Sequence, residues 1–256
     1  MAKSPFKKVV VIGLGGIWSY LRPILCRMMT YSQGAPARLK LVDYDVFSRS
    51  NLERQEMFPV DEARLKVTVH AERIRNEFPR LKVEEVKKFV TKKNIRGIVK
   101  DGSIVVSCVD NQATRKLLAE HVRTLKNVAL ISGASDEDRG NAHLHLVLGG
   151  KELTKGMDEC HANVANPQDK NPGELSCEER ARLPGGGQTA VTNMWSAAIM
   201  SHYLWHFLKG GTTGEVLEKV LTKSEAFYNL NHLMMDATSR SKVKVSKRRK
   251  RDGSVA

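Results

Sequence analysis

The chain has 256 residues, 41% of them hydrophobic and 27% charged, with a formal net charge of +14. That apolar share is enough for a packed core and excludes wholesale disorder. No apolar run reaches the ~18 residues of a membrane-crossing helix. The four cysteines, at positions 26, 108, 160 and 177, form no CxxC pair, which argues against a disulfide framework and fits a reducing cytoplasm.

Residues 8–12 are a continuous Val-rich run and read as a strand buried on both faces. Gly13-Leu14-Gly15-Gly16 follows, then helical spacing over 17–31 with a kink expected at Pro23. Residues 39–42 read as a second buried strand ending in Asp43-Tyr44-Asp45. Residues 61–78 have helical spacing up to Pro79, and 82–90 a more basic third strand. An apolar strand over 103–109, an amphipathic helix over 111–126 and a fifth strand over 128–132 come next. Residues 141–148 alternate, as in a half-buried antiparallel strand. Residues 150–187 are rich in Asn, Pro, Gly, Asp and Glu and read as a long structureless loop. An apolar helix over 188–208 is stopped by Gly210-Gly211, and one or two short strands are expected over 227–235.

This rhythm predicts an α/β, Rossmann-like fold: a mostly parallel sheet with helices on both faces and antiparallel strands towards the C-terminus. One domain is expected over 1–240, with residues 150–187 as a crossover loop, followed by a mobile basic tail over 241–256. The last nineteen residues hold eight Lys or Arg against one Asp, about half of the excess charge. The tail carries no aromatic residue for base stacking, and nucleic acid is not the expected partner.

Glycines where a strand hands over to a helix let backbone amides approach a phosphate, and the helix dipole favours its charge. The third glycine of GxGxxG is replaced by Trp18. The helix must therefore shift, or the indole must point outward or cover the nucleotide. Asp43, at the end of the second strand, is placed to bond ribose hydroxyls, which a dehydrogenase would also use. Arg54 and Arg64 or Lys66 can neutralise phosphates, and Asp110, at the end of the fourth strand, can hold Mg²⁺. A nicotinamide enzyme needs neither.

VVVIGLGG, LVDYD, SNLERQ, ARLKV and SCVDNQATR, in this order, resemble the ThiF/MoeB/HesA superfamily of ubiquitin-activating-type enzymes, which adenylate the C-terminus of ubiquitin-like proteins. The resemblance covers about residues 6–135 and more weakly 140–240. It implies that Gly13, Gly15 and Gly16 line the ATP phosphates, that Asp43 binds the ribose, and that Asn51, Arg54 and Gln55 face the triphosphate. Lys66 matches the family lysine with a spacing one residue short. Asp110 would bind Mg²⁺, with Asn111 beside it near the adenine end. Cys177 lies where noncanonical single-domain activating enzymes keep a catalytic cysteine, so a thioester is expected there, with Cys160 as the rival nucleophile. The four-cysteine zinc site common in the superfamily is not expected, and Cys160, His161 and Cys177 would make at most an incomplete metal set. Cys26 and Cys108 read as core thiols, and His143 and His145, on one strand face, as structural.

The reading is thus a cytoplasmic ATP- and Mg²⁺-dependent adenylyltransferase, in which Arg54, Lys66 and Cys177 carry the chemistry. The expected partner is a ubiquitin-like or sulfur-carrier protein with a flexible C-terminus, and a conjugating enzyme could follow it. A homodimer is also expected, and the lack of a long apolar run predicts no membrane partner. Two alternatives remain: a catalytically degenerate activating-type protein, which Trp18 would favour, and an NAD-dependent oxidoreductase.

Overall fold

Strand β1 (Lys8–Ile12) sits at the centre of the sheet, and its β-branched run suits that place, with Val9, Val10, Val11 and Ile12 all buried between opposite layers. The structure is a computed structural model and describes residues 4–175, 187–210, 212 and 214–243. The sequence expectations for Cys177 and for the basic run after Val243 lie outside the described residues. On one side, β1 pairs in parallel with β2 (Arg38–Val42), which pairs with β3 (Lys82–Val86). On the other, it pairs in parallel with β4 (Ser103–Ser107), which pairs with β5 (Val128–Ser135). Beyond β5 the sheet turns antiparallel through β6 (Arg139–Leu148), β8 (Glu225–Asn229) and β9 (Met234–Thr238), and the short β7 (Lys151–Glu152) pairs with β6. The order is β3-β2-β1-β4-β5-β6-β8-β9.

Each strand feeds alternate side chains to two cores. Val9, Val11, Leu41 and Val106 pack with Leu21 and Leu25 of α1 (Gly16–Tyr31), Ile74 of α2 (Lys66–Glu77) and Met200 of α7 (Ala190–Trp205). Val10, Ile12, Val105 and Leu130 pack with Ile98 of α3 (Ile95–Ile98) and Leu118 of α4 (Gln112–Val122). Two short helices, α5 (Met157–Cys160) and α6 (Ala162–Ala165), lie against α4, and α8 (Gly214–Thr222) precedes β8.

The predicted fold class stands, and several details change. Helix α2 starts at Lys66, because residues 59–61 form a separate 3₁₀ turn with Pro59 at its first position. Strand β3 ends at Val86, which frees residues 87–90 to turn across the carboxyl end of the sheet. Strand β6 is buried over 141–147 rather than half-buried, since α7 covers one face and residues 153–156 the other. Among the described residues, the expected structureless loop carries structure in its first part: β7, α5, α6 and a 3₁₀ turn at Pro172–Glu174. Its polar composition serves side-chain caps and ion pairs instead of solvent. Arg123, for example, binds Asp158 at 2.6 Å and Glu152 at 3.0 Å.

Trp18 is corrected too. It is fully buried, points neither outward nor over the nucleotide region, and stands edge-on to His70 with ring centroids 6.0 Å apart. The close approach expected of a glycine falls instead on Gly16, which leaves no room for a Cβ beside the Asn193 carboxamide of α7.

Candidate active site

Strand order reverses at β1, whose neighbours are β2 on one side and β4 on the other. The chain therefore leaves β1 and β4 in diverging directions and opens a crevice beyond their carboxyl ends. Gly13 opens the turn after β1 with φ of +83°, and a Cβ there would stand 2.9 Å from the Cys108 backbone. Only glycine satisfies both demands. The Gly13 amide donates to the Val42 carbonyl at 3.1 Å and the Cys108 amide to the Ile12 carbonyl at 2.8 Å, so the three strand ends are tied together.

Asp43 organises this turn. Its carboxylate accepts from the Leu14 amide at 2.6 Å and from the Asp45 amide at 2.8 Å. Burial, with the charge of Asp45, pushes its carboxyl up to about 6, against the opposing pull of Lys66 and the two amides. Gly15 caps α1 with no side-chain hydrogen bond, and the first turn of that helix carries no acidic residue. The amides there are free to meet an anion.

Lys66 reaches the crevice despite its short spacing. Its amide donates to the Asp45 carbonyl at 2.9 Å, and its ammonium lies 3.6 Å from the Asp45 carboxylate. A bridge between Val46 and Leu65 holds this approach. Asn51 is buried and accepts from the Ser48 amide at 3.1 Å, which fixes the 3₁₀ turn Arg49–Asn51 that carries Arg54 and Gln55 to the rim. Arg54 makes no ion pair among the described residues, and the buried Gln55 Oε1 accepts no hydrogen bond among them.

These groups surround one cavity of about 380 Å³, lined by Gly13, Gly15, Gly16, Asp43, Asn51, Arg54, Gln55, Lys66, Asp110 and Asn111. All ten nucleotide-site residues expected from the sequence thus come together. A second cavity of about 750 Å³ extends away from it over β5, β6 and β8. The two share Asp110, Asn111, Pro172 and Gln188. Asp110 is exposed at this junction, and Asn111 caps α4, its Oδ1 accepting from the Thr114 amide at 2.9 Å.

Sequence reasoning missed several supports. Asp169 accepts from the Gln112 and Ala113 amides at 2.6 and 2.8 Å, and Asn171 donates to the Val90 carbonyl at 2.8 Å and the Thr114 hydroxyl at 3.0 Å. The dipeptide Asn171-Pro172 did carry a signal, since Asn followed by Pro marks a turn start. The buried Arg115 donates to the Val109 and Gly133 carbonyls at 2.7 and 3.0 Å and fastens the end of β4 to β5. Phe89 and Val90 add an apolar wall. Among the thiols, burial pushes Cys26 and Cys108 up to about 12, as befits core residues. Burial also raises the half-buried Cys160, which lowers its thiolate fraction.

The ThiF family model matches residues 2–252. The chain belongs to the ThiF family. Among curated relatives of this ThiF-family chain, the SAMP-activating enzyme E1 of Haloferax volcanii is 33% identical over 136 residues, covering 53% of this chain and 48% of that protein. The molybdopterin-synthase adenylyltransferase of Haemophilus influenzae is 31% identical over 137 residues, covering 52% of each. The chain thus spans about half the length of these relatives. Among solved structures, E. coli MccB with MccA-N7isoASN superposes with a TM-score of 0.70 at 17% identity, covering 96% of this chain and 67% of that one. E. coli MccB with ATP gives a TM-score of 0.64 at 17% identity, covering 96% and 66%. These superpositions establish a shared fold. No helix among the described residues is long and apolar enough to cross a membrane.

Proposed function

We propose that the protein uses ATP to adenylate the C-terminal carboxylate of a ubiquitin-like or sulfur-carrier protein. The observation that carries this reading is the junction at Asp110 and Asn111 of a glycine-lined cavity, which holds Arg54 and Lys66, with a second, larger one. The first suits a triphosphate, with amides of the α1 N-terminus, Arg54 and Lys66 around it. The second suits a thin polypeptide tail reaching the α-phosphate. The names of the relatives agree with this reading, one an activating enzyme and the other an adenylyltransferase.

The substrate carboxylate is itself a nucleophile, so the reaction needs no strong general base. Its oxygen attacks the α-phosphorus, the bond to the bridging oxygen breaks, and pyrophosphate leaves with the electron pair. What the residues contribute is alignment and charge stabilisation. Arg54 and Lys66 hold the departing phosphates, Asp43 fixes the turn and faces the ribose, and Asn51 fixes the segment that carries Arg54 and Gln55. Asp110 offers one exposed carboxylate where both cavities meet. That donor set fits Mg²⁺, which keeps most of its ligands as water and phosphate. When bound, Mg²⁺ would supply charge neutralisation at the phosphates.

Transfer of the acyl group to Cys177 as a thioester, action within a conjugation pathway, and a homodimeric state belong to the same proposal. The competing nicotinamide reading gains nothing from Arg54 and Lys66, whose charges suit a triphosphate. The test is ATP–pyrophosphate exchange stimulated by the cognate carrier protein. Asp110→Ala should abolish exchange. Cys177→Ala should leave it intact and remove a reducing-agent-sensitive conjugate on gels. Absence of ATP binding by the wild-type protein would overturn the reading.

A further inference from the structure

Away from the nucleotide cavity, three side chains from separate elements aim ligand atoms at one point. These are His143 of β6, His161 between α5 and α6, and Glu225 of β8, whose ligand atoms all lie within 4.8 Å of one another. His143 and Glu225 are buried, and His161 is half-buried on the wall of the larger cavity.

The hydrogen bonds fix the geometry of these groups. His143 Nε2 lies 2.8 Å from the Lys155 carbonyl, which can only accept, so this nitrogen carries the ring proton. In the neutral ring Nδ1 presents a lone pair. It has no hydrogen-bond partner among the described residues, and it faces Glu225 Oε1 at 3.3 Å. Two lone pairs opposed across a buried gap repel unless a proton or a metal cation sits between them. The remaining contacts look like the outer support of a metal site. Arg240 Nε donates to Glu225 Oε2 at 2.6 Å and Asn141 Nδ2 to Oε1 at 2.9 Å, while a backbone carbonyl sets the tautomer of His143.

We propose that His143 Nδ1, His161 Nε2 and Glu225 Oε1 form a binding site for one divalent metal ion of the zinc class. Two imidazoles and one carboxylate select a borderline ion such as Zn²⁺ or Co²⁺ over Mg²⁺ or Ca²⁺. Tetrahedral bonds of about 2.0–2.1 Å set ligand atoms about 3.3 Å apart, which the His143–Glu225 pair already matches at 3.3 Å. His161 bonds Glu225 Oε1 at 2.6 Å and must draw back, which its place between two four-residue helices permits. Metal binding would displace the proton between His161 Nε2 and Glu225 to solvent and leave the ring as its Nδ1–H tautomer. Three protein ligands leave a fourth position, on the side where His161 and Asn141 line the larger cavity. Cys160, the neighbour of His161 in the chain, is not among the converging ligands.

The full chain, stripped with a chelator and dialysed, is titrated with ZnCl₂ by calorimetry and with CoCl₂ by visible absorption. The wild-type protein should take up one Zn²⁺ per chain with a rise in Tm. With Co²⁺ it should show the intense visible bands of a tetrahedral nitrogen–oxygen site. His161→Ala, which alters a half-buried residue, should fold as wild type by circular dichroism and weaken Zn²⁺ by more than about 10-fold. His143→Ala should do the same. If wild type takes up no stoichiometric Zn²⁺ and shows no Co²⁺ bands, a proton fills the gap instead and the proposal is overturned. Uptake unchanged in a folded His161→Ala would overturn it equally. These readouts do not depend on ATP.

Discussion

Gly16 at the start of α1 lies against the Asn193 carboxamide of α7 with no space for a Cβ between them. Asn193 is fully buried, and its Oδ1 accepts from the Ser135 hydroxyl at 2.7 Å, so it has nowhere to retreat. Gly16→Ala should therefore lower stability by about 1–3 kcal/mol, the usual cost of overpacking. Urea denaturation measures it. Combining it with Asn193→Ala should recover part of the loss, because the two changes share one contact.

Trp18 is a core residue, and its removal should read as core loss. Trp18→Ala should cost about 3–5 kcal/mol, whereas Trp18→Phe should cost less and leave ATP affinity unchanged. A fluorescent nucleotide titration checks the second point. A large change in affinity for Trp18→Phe would return the indole to the nucleotide site.

Lys66 and Arg54 enter the crevice from different segments and should act on the same phosphates. Lys66→Met and Arg54→Met should each reduce ATP–pyrophosphate exchange by about 10²-fold, the scale of losing one charge-stabilising donor. Lys66→Met also strips Asp45 of its partner, but the Asp45 side chain is 54% exposed. The stability change should therefore stay within about 1 kcal/mol. Thermal melts alongside the exchange assay separate the two effects.

His70 gives the fold an acid-sensitive element. Burial, reinforced by the charges of Arg22, Arg73 and Lys66, lowers its imidazole to about 3. The unfolded chain takes up this proton near 6.5. Between those values the unfolded state binds one more proton, so this contribution to stability falls as pH drops from about 6.5 towards 3. Asp43, pushed up to about 6, acts in the opposite sense below that pH and blunts the effect in the wild type. The difference between His70→Leu and wild type cancels Asp43. It should shift in favour of the variant by about 1.4 kcal/mol per pH unit below 6.5. Urea midpoints at pH 7, 6 and 5 test it.

The parallel half of the fold was legible in the sequence because its signals are local. The Val-rich runs at β1 and β4, and the glycines after β1, follow from burial and backbone geometry within a few residues. The cavity residues were legible because Asp43, SNLERQ and Asp110 each sit at the end of a strand or in a turn. The folded stretch after Leu148 was not legible. Its helices are four residues long, too short for periodicity to show, and its order comes from distant partners. Asp169 finds α4 and Lys242 finds Glu152, across long separations in the chain. The fate of Trp18 was hidden for the same reason: His70, the residue it meets edge-on, lies two elements away.

The occupancy of the two helix starts at the crevice has a directional consequence. Helix α4 already holds the protein's own carboxylate, since Asp169 bonds its first two amides. Helix α1 starts with no such cap. An asymmetric ligand entering here meets one positive pole silenced and the other open. On the proposed function, a nucleotide would thereby be given a single polarity, its phosphate end towards Gly15, before any base-specific contact is made.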